Sequence, residues 1–312
     1  MGRITARRRV ARVTVGERTS VREDVLAVEE PLEIRVGGKP LSITMRTPGH
    51  DIELAAGFLV SEGVISRPDE FATGRYCAGA SADGNTYNVL DITLASGVAP
   101  PAASLDRAFY TTSSCGLCGK ASIDAVRSTS AYDVHDDPLT IDAATLAGFP
   151  GLLRAGQEVF EKTGGLHAAA LFDGCSGELL VLREDVGRHN AVDKVVGWAL
   201  NAGRLPGRGL VLMVSGRAGF ELTQKASMAG IPMLAAVSAP SSLAAELADE
   251  VGMTLVGFLR GDSMVVYAGR ERVVNETAGA AGEARAGRGG DGAADAASAD
   301  RFSESQEKVS VA

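Results

Sequence analysis

Between Gly164 and Tyr267, short apolar stretches alternate with segments of helical period, and this alternation leaves few architectures open. Ala168–Phe172 and Leu179–Arg183 read as two strands joined across Asp173-Gly174. His189–Asn201 reads as a helix, Gly209–Val214 as a strand apolar throughout, and Ala218–Ala229 as a second helix. Met233–Val237 follows as a strand, Ser241–Val251 as a helix opened by a serine cap, and Thr254–Phe258 and Met264–Tyr267 as a closing pair of strands. A strand with no polar position is covered on both faces, so the predicted arrangement is a three-layer α/β domain.

The preceding half is β-rich. Arg9–Val15 alternates as a half-buried strand does, Leu32–Val36 and Leu41–Arg46 flank the turn pair Gly37-Gly38, and Tyr87–Leu94 alternates again. His50–Ser61 carries Ile52, Leu54, Ala55, Phe58 and Leu59 at helical spacing, with Gly63 placed as a C-cap. Residues 111–119, TTSSCGLCG, read as a loop, followed by a helix from Lys120 to Ser128. Thr140–Thr163 reads as helix broken near Phe149-Pro150-Gly151. Beyond Asn275 the chain is chiefly Gly, Ala, Ser and charged residues, with one aromatic, Phe302. Such a segment buries too little apolar surface to offset its ordering entropy and is expected to be disordered. The expected organisation is therefore an N-terminal arm and first strand over 1–24, a β-rich portion bearing the cysteine loop over 25–130, an α/β portion over 131–274 and a tail over 275–312.

The formal net charge is -8. General nucleic-acid binding needs excess Lys and Arg to displace counterions, so no nucleic-acid partner is expected and an anionic ligand must be met by a local site. The basic start, MGRITARRR, lacks the apolar run of about 7–15 residues of a signal peptide. No stretch reaches the roughly 18 apolar residues of a membrane span. A cytoplasmic protein is expected.

The four cysteines are Cys77, Cys115, Cys118 and Cys175. Cys115-Gly-Leu-Cys118-Gly is the sharpest chemical feature. A thiolate is the reactive form of cysteine, favoured by a neighbouring cation or a helix N-terminus, and Lys120 and the predicted helix follow directly. By itself the pair fits four chemistries. A structural zinc site wants two close pairs, and Cys77 and Cys175 stand apart. A thiol–disulfide oxidoreductase uses the same spacing. An inert buried pair sits poorly among glycines and serines. Sulfur carriage on a persulfide is the fourth, and the motif alone does not choose it.

Six segments occurring in order carry a resemblance: SSCGLCG at 113–119, GGLHAAAL at 164–171, REDVGRHNAVDKVVG at 183–197, SGRAGFELTQKA at 215–226, GIPMLAAVSAPSSLA at 230–244 and FLRGDS at 258–263. From about Val25 to Tyr267 the chain resembles the FdhD family of formate dehydrogenase accessory sulfurtransferases. The resemblance implies a β-rich N-terminal portion plus a three-layer, cytidine-deaminase-like α/β portion. It also implies a sulfur carrier that takes sulfur from a cysteine desulfurase and transfers it to the molybdenum cofactor, bis-molybdopterin guanine dinucleotide. That cofactor is bound as a substrate, before its insertion into formate dehydrogenase apoenzyme. No dedicated protein metal is implied, and a homodimer is. Cys115 matches the persulfide carrier and Cys118 its auxiliary. Phe258, Leu259, Arg260, Gly261, Asp262 and Ser263 match the segment that binds the guanine dinucleotide. Two other functions stay open, a cofactor-holding chaperone that moves no sulfur and a CxxC oxidoreductase.

The residues themselves support parts of this. Arg260 can pair with a phosphate and Gly261 permits a tight turn, although the bland reading of 258–263 is a solvated hairpin. Arg188 and His189 fall between a strand and a helix, and Ser215 and Arg217 follow the apolar strand. Ligands of open α/β sheets sit at such strand ends, while the plain alternatives are turns. Asp193 and Lys194 read as a solvated helix face, and Glu221 and Lys225 as an i,i+4 pair. His167 lacks the His-x-Glu partner of zinc deaminases, so deamination is rejected.

Overall fold

The computed structural model describes residues 4–77, 87–101 and 129–275. Residues 111–119 with both loop cysteines, the predicted helix at 120–128 and the tail from Glu276 lie outside the described residues.

The β-rich portion begins with β1 (Thr5–Arg12) and β2 (Ser20–Ala27), which form a two-stranded ribbon of their own. β3 (Glu30–Val36) and β4 (Lys39–Arg46) pair antiparallel across Gly37-Gly38, with one register shift between Ile34 and Arg35. Both glycines have positive φ, as the favoured two-residue hairpin turn requires. β5 (Phe71–Tyr76) and β6 (Val89–Leu94) complete a four-stranded sheet of order β4-β3-β6-β5. α1 (Asp51–Ser61) lies against it. Its chain turns out at Gly63, whose φ of 71° suits a glycine closing a helix.

The second sheet has six strands in the order β13-β12-β11-β10-β8-β9. They are β8 (His167–Asp173), β9 (Leu179–Asp185), β10 (Leu210–Val214), β11 (Met233–Ala236), β12 (Thr254–Arg260) and β13 (Ser263–Ala268). β10, β11 and β12 run parallel, and β8 and β13 antiparallel to their neighbours. One face packs on α4 (Arg188–Asn201), α5 (Phe220–Met228) and α6 (Ser242–Glu250) through Leu171, Leu212, Val214, Leu234 and Leu255. The other packs on α2 (Ala143–Gly156) through Ala170, Phe172, Val211, Met213 and Val256. Leu212 and Met213 thus enter opposite cores, which is why β10 tolerates no polar residue. β7 (Ile141–Asp142) and β14 (Val273–Val274) pair in parallel beside this unit. The fold is α/β, with three layers in its larger part.

Three departures from the sequence reading have physical causes. The first strand ends at Arg12 and has a partner, β2, that the reading left unassigned, because SVREDVLA shows no clean alternation where neither face is deeply buried. The helix from Ala143 runs through Pro150 to Gly156 and breaks at Gln157 before α3 (Glu158–Thr163). Pro150 deletes one helical hydrogen bond, but Phe149, stacked on Phe172 at 3.9 Å, is held with Leu146 and Leu153 in the core on either side of it. Packing outweighs propensity here. Finally, Asp193 and Lys194 are buried rather than solvated.

The two sheets are joined through α1 and α4. A Cβ added at Gly57 would fall 1.8 Å from the Asp193 carbonyl oxygen, and one at Gly197 would fall 1.9 Å from that of Glu53. The helices therefore touch backbone to backbone, with a glycine from each side at the crossing. Among the described residues no helix is long and apolar enough to cross a membrane. Overpacking typically costs about 1–3 kcal/mol, and here the obstacle is backbone that cannot swing aside. Gly197→Ala or Gly57→Ala should each lower stability by at least about 3 kcal/mol, read as a fall in the urea midpoint at unchanged slope.

Candidate functional site

The carboxyl ends of β9, β10, β11 and β12 lie at one end of the six-stranded sheet, together with the first residue of β8. Every segment singled out from the sequence within 164–274 reaches this end. The chain after β10 gives Ser215, Gly216 and Arg217, and the chain after β11 gives Ser238. The peptides are laced in a row, since Ser238 N–H donates to the Gly216 carbonyl at 3.3 Å and Phe258 N–H to the Ser238 carbonyl at 3.2 Å. At the other side of Gly216 stands the His167 ring, and Ser215 Oγ accepts from the Ala168 N–H at 2.9 Å.

The Phe258–Ser263 segment is the top of the β12–β13 hairpin. Arg260 pairs with Ser263, and Gly261, at φ 56°, takes the first of two loop positions. Between the Gly257–Val265 and Arg260–Ser263 pairs β12 carries one residue more than β13, a bulge. Phe258 occupies it with φ 50°, a conformation that a side chain with a Cβ adopts at a cost of about 1–3 kcal/mol. The kink divides the segment. Leu259 goes fully into the core, whereas Phe258, Arg260, Gly261, Asp262 and Ser263 are exposed, with the Arg260 guanidinium 5.3 Å from the Phe258 ring centroid. Leu259 therefore anchors the hairpin and presents no side chain to a ligand.

The turn from β9 into α4 is set by Asp185, which is fully buried. Its carboxylate accepts from the N–H groups of Thr47 (3.1 Å) and Gly187 (2.8 Å) and from Asn190 Nδ2 (3.1 Å), and it pairs with Lys194 Nζ at 2.7 Å. Lys194 also donates to the Thr47 and Glu184 carbonyls, and Asn190 Nδ2 to that of Met45. These bonds fix the first turn of α4 and hold Arg188 and His189 at the sheet end. Neighbouring residues of the same motif also serve the scaffold. Arg183 grips Glu53 of α1 through two bonds of 2.6 and 2.8 Å, and Glu184 accepts from the Val159 and Phe160 N–H groups that open α3.

Two imidazoles stand at this end of the sheet. Burial, reinforced by the nearby Arg188 and His189 and opposed by Asp185, lowers the His167 pKa, so this ring is neutral at pH 7. His189 Nε2 lies 3.3 Å from Glu221 Oε2. Burial acts to raise the Glu221 carboxyl, but the His189 bond and charge outweigh it and hold it below its ordinary value. Glu221 and Lys225 do not pair with each other, since Lys225 binds Asp193 at 2.8 Å. Arg188, Arg217 and Arg260 have no carboxylate partner among the described residues. Three guanidiniums without a carboxylate partner among the described residues thus stand at one end of the mixed sheet, an arrangement whose chemistry suits a multiply charged anion.

A family model described as the FdhD/NarQ family matches residues 27–274. The chain belongs to the FdhD/NarQ family. A relative from Streptomyces avermitilis, named sulfur carrier protein FdhD, is 62% identical over 284 residues, covering 90% of this chain and all of its own length. One of the same name from Mycolicibacterium paratuberculosis is 60% identical over 86% of this chain and 99% of its own. A solved structure from Desulfotalea psychrophila, described as a formate dehydrogenase accessory protein, superposes with a TM-score of 0.67, covering 87% of this chain and 100% of its own, at 23% identity. That likeness concerns the fold. In this FdhD/NarQ chain Cys115 and Cys118 lie outside the described residues, Cys77 is partly buried and Cys175 exposed. Among the described residues no cluster of three or more His, Cys, Asp or Glu side chains is arranged to hold a metal ion.

Asp185, Asn190 and Thr47 form one connected set and Glu53 with Arg183 another, and their spacing in the chain gives no signal of either. Two predictions follow from these contacts. The Glu53 carboxyl feels burial, which raises it, but Arg183 and His50 bring it down to about 2. A depressed carboxylate contributes stability above its unfolded pKa that is lost as pH falls through the folded value. The Arg183–Glu53 contribution should be complete above about pH 4.5 and disappear between there and about 2. Glu53→Gln should flatten that part of the acid-unfolding curve, measured by urea midpoints across the range. Asp185→Asn leaves Lys194 buried and unpaired, which should cost about 3–5 kcal/mol, and Asp185→Asn with Lys194→Met should recover much of it in the same assay.

Proposed function

We propose that this chain is a sulfurtransferase that carries sulfur as a persulfide on Cys115 and delivers it to bis-molybdopterin guanine dinucleotide before formate dehydrogenase takes up that cofactor. The carrying observation is the gathering of Arg188, Arg217 and Arg260, unpaired among the described residues, along the carboxyl ends of the sheet. A dinucleotide bearing pyrophosphate fits a row of such groups. Relatives about 60% identical over most of the chain carry the name sulfur carrier protein.

In this reading the Cys115 thiolate attacks the sulfane sulfur on a cysteine desulfurase, whose own thiolate leaves, and Cys115–S–S⁻ results. The outer sulfur then bonds to the metal, which supplies the electron pair. The remaining sulfur–sulfur bond breaks, and its electrons stay on Cys115 as thiolate. Cys118 assists release. The Phe258–Ser263 hairpin holds the guanine end of the substrate through Arg260, Gly261, Asp262 and Ser263, with Phe258 as an apolar wall. Arg188, His189, Ser215 and Arg217 face the remainder, and the neutral His167 adds a group that hydrogen-bonds without adding charge. The same reading places the protein in the cytoplasm as a homodimer, with the desulfurase and the formate dehydrogenase apoenzyme as successive partners.

Mass spectrometry after incubation with desulfurase and cysteine should find one additional, reducible sulfur atom on the 113–119 peptide, absent in Cys115→Ala. In cells, Cys115→Ala should reduce formate dehydrogenase activity to background. Full activity in a Cys115→Ala, Cys118→Ala double variant would instead identify a chaperone that holds the cofactor and moves no sulfur.

A further inference from the structure

The β1–β2 ribbon stands apart from both large sheets, and residues 5–26 precede the stretch matched by the family model. The ribbon's position is nonetheless defined. Val28 N–H donates to the Ile4 carbonyl at 3.0 Å, closing the base. Ala27 lies beside Gly165, two residues before His167 at the sheet-end crevice. The ribbon therefore springs from near the crevice, with β2 lying against α3 and most of β1 exposed.

Its charge runs against that of the chain. Residues 4–27 hold six arginines and three acids, in a protein of net charge -8. Two arginines have partners, Arg7 with Glu23 at 2.8 Å and Arg22 with Asp24 at 3.4 Å, both exposed and of small energetic value. Arg8, Arg9, Arg12 and Arg18 have no ion pair among the described residues. The register puts Arg8, Val10 and Arg12 on one face with Asp24, Arg22 and Ser20 opposite them, so three arginines line that face against one acid. The tip adds Val13 and Val15, 69% and 98% exposed.

Charged side chains on a ribbon edge keep it from pairing wrongly. A cluster of unpaired like charges on a ribbon that is marginal in isolation weakens it further by repulsion. A counter-surface removes that repulsion. Interleaved acids and the net negative charge argue against a nucleic acid. A tip of valines without aromatic or long aliphatic residues argues against a membrane. Arginine with small apolar side chains is the composition of a protein interface.

We infer that the β1–β2 ribbon is a docking arm for an acidic protein surface, and that its occupant is the protein that receives the cofactor. The choice of recipient rests on the proposed function and on the ribbon's base beside the crevice, which brings the docked partner to the place where the cargo is held. Electrostatic docking of this kind acts mainly on the association rate and weakens with salt.

The test is biolayer interferometry of the full chain against purified formate dehydrogenase apoenzyme at low and high salt. The Arg8→Gln, Arg9→Gln, Arg12→Gln triple variant should lose about ten-fold in affinity at low salt, chiefly in association rate, and its salt dependence should flatten. The corresponding Lys triple variant should retain both. Sulfur loading of Cys115 by desulfurase should be unchanged in each. Wild-type affinity and salt dependence in the Gln variant would overturn the inference. So would loss of desulfurase binding in place of apoenzyme binding, or loss of binding only to an RNA oligonucleotide or to anionic vesicles. Failure of wild-type protein to load sulfur would sink the proposed function and leave the docking measurement readable by itself.

Discussion

The contact between α1 and α4 governs how the rest of the molecule can be arranged. Two helices approach until peptide meets peptide only where glycine stands on each side, and Gly57 and Gly197 supply this. Close approach brings the charged groups of both helices into the interior. Asp193 receives Lys225 and the Ser61 hydroxyl, and Arg183 closes over Glu53. These pairs are not a large source of net stability, because each charge loses its water. Their effect is on register, since a shift of one turn in either helix would leave a buried charge without a partner.

From that contact the geometry passes to the sheet end. Asp185 ends β9 where the β4–α1 connection and α4 converge, and its acceptor positions are taken by donors from that connection, from the β9–α4 turn and from α4. Arg188 and His189 are placed by that node, with His189 also held by Glu221. The hairpin at Phe258–Ser263 is placed differently, by a bulge and by Leu259 in the second core. The row from Phe258 to His189 is therefore supported from both faces of the sheet.

Much of the architecture is legible in the residues. The apolar run at β10 announces a covered strand, Gly37-Gly38 announces a hairpin, and Ser241 caps α6 by accepting from the Ala244 N–H as its position suggests. Interactions between distant segments were not legible. Asp193 and Lys194 look like a polar helix face because their partners come from α5 and from the β9 end, far away in the chain. Glu221 and Lys225 have ideal spacing for each other and choose His189 and Asp193 instead. Of the REDVGRHN motif the sequence singles out Arg188 and His189, whereas Arg183, Glu184, Asp185 and Asn190, whose part it does not show, hold the scaffold. The hairpin signal at 258–263 was correct as topology, but period-two reasoning cannot foresee a bulge that turns Leu259 inward.

The crossing at Gly57 and Gly197 also bears on how this protein can be divided. The α4 surface that would become the outside of a fragment starting after residue 130 carries Asp193 and Gly197, on which α1 packs in the intact chain. Lys194 would lose the Thr47 carbonyl and Asp185 the Thr47 N–H. Such a fragment would keep an unbroken six-stranded sheet and still be a sticky, half-assembled object. Grafting the sheet-end crevice onto another scaffold therefore means transplanting α1 and the 44–47 segment along with it.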